Sequence, residues 1–318
     1  MATVLITGAG GYVGGRLVAT LARAGSQPRA LVRERAPWLT IAQAVCDLCT
    51  VDAGELTAAC AGVDAVVHLA GEDELVAARE PEVALGATLL ASERLATACR
   101  EAGVPRLVYL STVHVYGERM QPGATLEEDM RPEPRSAYAI SRLASEHVIA
   151  AMAGPECQRV VFRLTNSVGA PADPRVDRWS LVANDLARQG VVTGRLRLHS
   201  SGVQWRDFVS LGDVCTTIAA ACGAGEPALA PGTYNLGSGT PATVLELAGL
   251  VQDAFESRTG SRPGLDAPGP GAQRPEPYRV SVARLAAAGL APGAALRTAV
   301  GETVDFCLAN RDDLLAHA

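Results

Sequence analysis

"TVLITGAGGYVG", residues 3–14, runs an apolar, β-branched stretch straight into a glycine-rich turn, and "GGRLVATLARAG" (14–25) continues as a helix-like segment. Gly8, Gly11 and Gly14 fall between strand and helix. A backbone that turns tightly there and ends on helical N–H groups suits a dinucleotide's pyrophosphate. A glycine triplet alone is weak, and an ordinary turn is the competing reading. The strand–turn–helix setting makes the signal specific. Tyr12 and Val13, inside the turn, join the three glycines as candidate cofactor contacts.

Outward from this turn the pattern repeats. "PRALVR" (28–33), "DAVVHLAG" (64–71), "RLVYLST" (106–112) and "RVVFRLTN" (159–166) alternate with the helix-like "LLASERLATACREAG" (89–103) and "SAYAISRLASEHVIAAMAG" (136–154). Strands alternating with helices imply βαβ units and a parallel sheet, and continuous apolar runs fit strands covered on both faces. The expected fold class is α/β, a doubly wound parallel (Rossmann) sheet with a second, smaller substrate-binding domain. Residues 1–168 are assigned to the first, rejoined by about 208–240, and 169–318 to the second. The Gly- and Pro-rich residues 258–277 read as a loop.

Composition narrows the function. Of 318 residues 48% are apolar and 19% charged, the balance of a soluble globular protein. A net charge of −6, with no basic run, argues against a nucleic-acid partner. The first strand begins almost at once, with no basic leader or apolar signal core, and no apolar run is long enough to span a bilayer. Eight irregularly spaced cysteines fit buried thiols in a reducing compartment, so the expectation is a cytoplasmic protein. Cys46 and Cys49 lack partners for a zinc site, and no metal is expected.

Two details refine the cofactor. The second strand ends in "ALVRER" (30–35), where an acidic residue would bind the ribose 2′-OH of NAD and an arginine suits the 2′-phosphate of NADP. Arg33 stands there, which favours NADP(H) over NAD(H); a solvated surface arginine is the alternative. In the helix-like stretch 136–154, Ser136 can cap the start and Gly154 can end it. Ile140, Leu143, Ala144, Val148 and Ala151 form an apolar stripe, and Tyr138 and Arg142 lie one turn apart on a neighbouring face. A cation about 5 Å from a phenol, at an effective dielectric of roughly 20, is worth about 3 kcal/mol. That brings a phenol's pKa from about 10 to about 8, useful for proton transfer at neutral pH.

The GxxGxxG spacing, the Asp47–Leu48 pair and "VVHLAG" (66–71) together resemble the extended short-chain dehydrogenase/reductase family, with its nucleotide-sugar epimerases, dehydratases and reductases. The resemblance covers nearly the whole chain. It implies that Asp47 and Leu48 contact adenine, and that Leu69 and Ala70 wall the cofactor cleft. In "YLSTVHVYG" (109–117) it makes Thr112, with Ser111 beside it, the hydroxyl that binds the substrate oxygen next to Tyr138. Arg142 stands where the family has lysine. It keeps the charge and can donate to ribose hydroxyls, but it relays protons poorly. Ala84 stands where the family's helix carries asparagine, and Val113–His114 where 4,6-dehydratases carry Asp–Glu. Losing both carboxylates argues against dehydration. His114 is either a base for a neighbouring C–H or a structural histidine.

In the second domain the resemblance implies that Asn166 touches substrate and that Arg206 and Arg274 hold a sugar nucleotide's diphosphate, which guanidinium forks match well. Pairing of Arg206 with Asp207 is the structural alternative. Three functions are consistent with these residues: an NADPH-dependent reductase of a keto-sugar nucleotide, a redox-neutral epimerase or dehydratase holding NAD, and a catalytically silent cofactor-binding protein. A homodimer is a family expectation.

Overall fold

Strand β1 (Thr3–Thr7) sends Val4 and Ile6 into one hydrophobic cluster and Leu5 into another. Successive strand residues point to opposite faces, so an unbroken apolar run needs cover on both. The computed structural model describes residues 1–223, 229–269 and 275–316. After β1 come α1 (Tyr12–Arg23), β2 (Gln27–Val32), β3 (Gln43–Val45), α2 (Ala53–Cys60), β4 (Ala65–His68), α3 (Glu74–Arg79), α4 (Pro81–Glu101), β5 (Arg106–Thr112), β6 (Thr125–Leu126), α5 (Ala137–Met152) and β7 (Gln158–Leu164). Then follow β8 (Asn166–Val168), α6 (Val182–Val192), β9 (Arg195–Arg197), β10 (Trp205–Ser210), α7 (Leu211–Ala221), β11 (Gly232–Leu236), β12 (Pro241–Thr243) and α8 (Val244–Thr259). The chain ends with β13 (Gly264–Asp266), β14 (Arg279–Val280), α9 (Ala283–Ala287), α10 (Leu296–Ala309) and α11 (Arg311–Ala316).

Seven strands form the main sheet in the order β11-β7-β5-β4-β1-β2-β3, all neighbours parallel. Helices α1 and α7 cover one face through Leu17, Leu21, Val214 and Ile218. The other face carries α2, α4 and α5 through Leu56, Leu95, Cys99 and Ile149. This is the doubly wound α/β fold expected from the sequence. Strand order reverses between β1 and β4, and the crevice beyond their C-terminal ends is where such sheets bind ligands. Beside the main sheet, α6, α8 and α10 pack a separate core around Phe208, Leu247 and Val304. Residues 258–277 are not wholly loop: α8 runs through Thr259, and Gly264–Asp266 pairs with Arg195–Arg197.

Helix α5 departs from its sequence pattern. Its apolar stripe is the natural candidate for the buried face, yet Ile140 is 44% exposed, and Ser141, Arg142, Ser145 and Glu146 are buried. The inward polar groups have partners. Glu146 Oε2 accepts from Arg163 Nη2 of β7 at 2.8 Å, and Glu146 Oε1 accepts from the Ser111 hydroxyl at the end of β5. Arg163 also lies over the Tyr116 ring, 5.0 Å from its centre. A buried, multiply bonded ion pair therefore fixes α5 against two strands of the sheet. All eight cysteines are free.

Candidate active site

A cleft of about 630 Å³ opens at the strand-order reversal. Its floor is the turn after β1. Gly8 takes φ +69°, and its missing side chain lets β1 approach the Leu69–Ala70 backbone, which a Cβ would meet at 3.0–3.1 Å. At Gly14 a Cβ would sit 2.2 Å from Gly8 O, so only glycine fits. Gly11 caps α1 without a side-chain acceptor, and Gly8, Gly10, Gly11, Tyr12, Val13 and Gly14 all line the cleft. First-turn N–H groups thus face open space, the arrangement that receives a pyrophosphate. The residues present fit a dinucleotide.

Above this floor stand Thr112, His114, Tyr138 and Arg142. Ser136 caps α5 by accepting from Ala139 N at 3.2 Å, which puts Tyr138 in the helix's first turn at the cleft. The Arg142 guanidinium carbon lies 5.3 Å from the Tyr138 ring centre, and its Nη2 donates to Glu72 O at 3.1 Å. Burial works against the Arg142 charge, but the phenols of Tyr109 and Tyr138 outweigh it and raise its pKa. The cation is permanent. Thr112 Oγ1 accepts from His114 N at 3.2 Å, which leaves its own proton for a ligand. The neighbouring Ser111 also borders the cleft, but its proton goes to Glu146. His114 packs edge-on to Tyr138 at 6.4 Å; desolvation and then the Arg206 charge lower its pKa, against the opposing influence of Glu74.

Behind the cleft wall lies a buried polar chain that the sequence did not announce. Thr7 Oγ1 accepts from Leu69 N and Ala70 N, each at 3.2 Å, so its proton goes to His68 Nδ1 at 2.8 Å. That leaves Nε2–H of His68 to donate to Ser92 Oγ at 3.1 Å. Burial, reinforced by Arg142, lowers the His68 pKa to about 3, so the ring is neutral. Tyr109 stacks against it at 5.4 Å, fully buried, its hydroxyl without a well-formed hydrogen bond.

Other expected site residues lie in varied places. Arg33 borders the cleft, 73% exposed, with Nη1 3.3 Å from Glu72 Oε1. Leu69 and Asn166 also line it, and Asn166 Nδ2 donates to Asp207 O at 3.0 Å. Asp47, Leu48, Ala70 and Arg206 are not among the lining residues. Asp47 accepts from Cys49 N, Leu48 is packed in the core, and Arg206 donates to Trp205 O at 2.8 Å instead of pairing with Asp207. Arg274 lies outside the described residues. Sequence reasoning missed Asp73, Glu74 and Arg178, which line the cleft and join across it at 2.8 and 2.9 Å. Their partnership is between residues over a hundred apart, and no local pattern carries it.

Residues 4–237 match the NAD dependent epimerase/dehydratase family. The chain belongs to that family. It is 32% identical over 314 residues to a dTDP-6-deoxy-L-talose 4-dehydrogenase (NAD(P)(+)) of Kitasatospora kifunensis, covering 95% of this chain and 94% of the relative. A GDP-6-deoxy-D-mannose reductase of Pseudomonas aeruginosa is 32% identical over 195 residues, a match that spans 60% of this chain and 62% of that protein. Among solved structures, the UDP-glucose 4-epimerase of Thermus thermophilus in complex with NAD superposes with a TM-score of 0.79 at 27% identity, covering 96% and 98% of the two chains. The chain is accordingly an NAD(P)-dependent enzyme of nucleotide sugars. Among the described residues, no helix is long and apolar enough to cross a membrane.

Proposed function

We propose that the protein is an NADPH-dependent reductase of a keto group on a nucleotide-activated sugar. The observation that carries this reading is the convergence of Tyr138, Arg142 and Thr112 on a cleft floored by the glycine turn. A bound nicotinamide supplies the hydride there. Thr112 donates to the substrate oxygen and orients it. Tyr138 gives that oxygen its proton, and the Arg142 charge stabilises the phenolate left behind. Arg33 favours NADPH, since its exposed guanidinium can exchange Glu72 for a 2′-phosphate. The full-length similarity to a dehydrogenase that takes NAD(P)(+) and a dTDP-6-deoxy sugar supports net redox chemistry.

In this reading residues 1–168 with 208–240 hold the dinucleotide, and the rest of 169–318 holds the sugar nucleotide, with Asn166 and Arg206 among its contacts. The exposed Val83 and Leu90 of α4 and Ile140 of α5 support a homodimer across these two helices. The protein works in the cytoplasm. A panel of keto-sugar nucleotides, run with NADPH, and dTDP-6-deoxy-L-talose, run with NADP+, tests the proposal. Stoichiometric change in cofactor absorbance is expected with at least one. Epimer formation without net cofactor change would instead support a redox-neutral epimerase, the reading favoured by the likeness to the NAD-bound UDP-glucose 4-epimerase.

A further inference from the structure

An arginine in place of the expected lysine raises a question of space. A guanidinium ends in two nitrogens that an ammonium lacks, and α5 carries Arg142 into a buried position, 7% exposed. The room comes from the segment after β4. Gly71 presents bare backbone to the guanidinium: a Cβ there would lie 2.8 Å from Nη1 and 3.0 Å from both Cζ and Nη2. At such an approach something must shift, and the atoms that would have to give are those of the charged tip itself. The next carbonyl along, Glu72 O, takes the hydrogen bond from Nη2. The tip also interacts with the buried hydroxyl of Tyr109. Gly71, Glu72 O and Tyr109 therefore all meet the group that stands over Tyr138.

We propose that Gly71 is a positioning residue for Arg142, its missing side chain being what allows a guanidinium to serve where the family uses an ammonium. The proposal rests on Tyr138 being the proton donor. Any side chain at 71 displaces the charge from the phenol and from Glu72 O, whereas a lysine at 142 lacks both terminal nitrogens and brings only its Nζ, at about the place of Cζ, a single freely rotating tip that can swing clear. The effect of Gly71→Ala must then depend on the residue at 142.

A double-mutant cycle of Gly71→Ala and Arg142→Lys tests this. Alanine at φ +152° is strained in either background, and the cycle cancels that common cost. Two readouts are taken: turnover of dTDP-6-deoxy-L-talose with NADP+, or of the best substrate from the panel above, and thermal unfolding of the cofactor-free protein. With Arg142, Gly71→Ala is expected to lower kcat about thirtyfold with KM and NADPH affinity little changed. In the Arg142→Lys background the same substitution costs less than about threefold, a coupling of about tenfold or about 1.4 kcal/mol. Melting temperature should fall about 2 °C further in the arginine background. Equal penalties in both backgrounds, in turnover or in melting temperature, overturn the proposal. Should the Arg142→Lys protein turn over too slowly to measure, the melting cycle alone decides. Full turnover by Tyr138→Phe would sink the choice of acid instead, and the melting cycle would still judge Gly71.

Discussion

The Arg142 guanidinium carbon stands 5.3 Å from the centre of the Tyr138 ring, one turn along the same helix. If the phenol is the proton donor, Tyr138→Phe keeps the ring and its packing but removes the transferable proton. Turnover should fall about 10²- to 10⁴-fold, with NADPH affinity within about twofold by fluorescence titration. Normal turnover would exclude this acid.

Arg33 follows the end of β2, largely in solvent, with Nη1 3.3 Å from Glu72 Oε1. Arg33→Asp replaces a 2′-phosphate partner with a ribose-hydroxyl acceptor and repels the phosphate. The NADPH/NADH affinity ratio should drop at least about tenfold and reverse. Unchanged affinities would assign Arg33 to the solvated surface.

Glu146 and Arg163 pair at 2.8 Å with both side chains under 10% exposed. Removing one partner leaves a buried charge uncompensated, so Glu146→Ala should cost about 3–5 kcal/mol of stability by chemical denaturation. Replacing both together with apolar residues should cost distinctly less. A loss near zero for Glu146→Ala would contradict the buried pair.

His68 is held neutral, with its folded pKa lowered to about 3. Below its unfolded pKa of about 6.5, the unfolded chain binds a proton that the folded chain refuses. The His68 contribution is therefore complete above about pH 6.5 and shrinks as pH falls toward 3. Between pH 7.5 and pH 5 this amounts to about 2 kcal/mol, and His68→Asn should lose that part of the pH slope. Denaturation at the two pH values, in both proteins, checks it.

What the sequence made legible follows from how local each signal is. The main sheet could be read because β1, β4, β5 and β7 are apolar runs set by covered faces, and the glycine turn because only glycine meets its steric demands. Tyr138 and Arg142 were findable because one helix carries both. The inward face of α5 was not, since its polar residues are buried by partners on β5 and β7 that no helical periodicity encodes. The same holds for Ser111. It has the right residue type beside Thr112, yet its hydroxyl is committed to Glu146. Arg178 and its two carboxylates meet only because the chain folds back across the cleft.

Residues 71–74 meet three arginines of that cleft in four consecutive steps. Gly71 lies under Arg142, Glu72 contacts Arg142 and Arg33, and Asp73 and Glu74 grip Arg178 on the far bank. A ligand that draws Arg33 off Glu72 would act on the same four-residue segment that pairs with Arg178. Linkage makes any such effect mutual: if one ligand alters the segment's hold, the affinity of each ligand for the other's complex changes by the same factor.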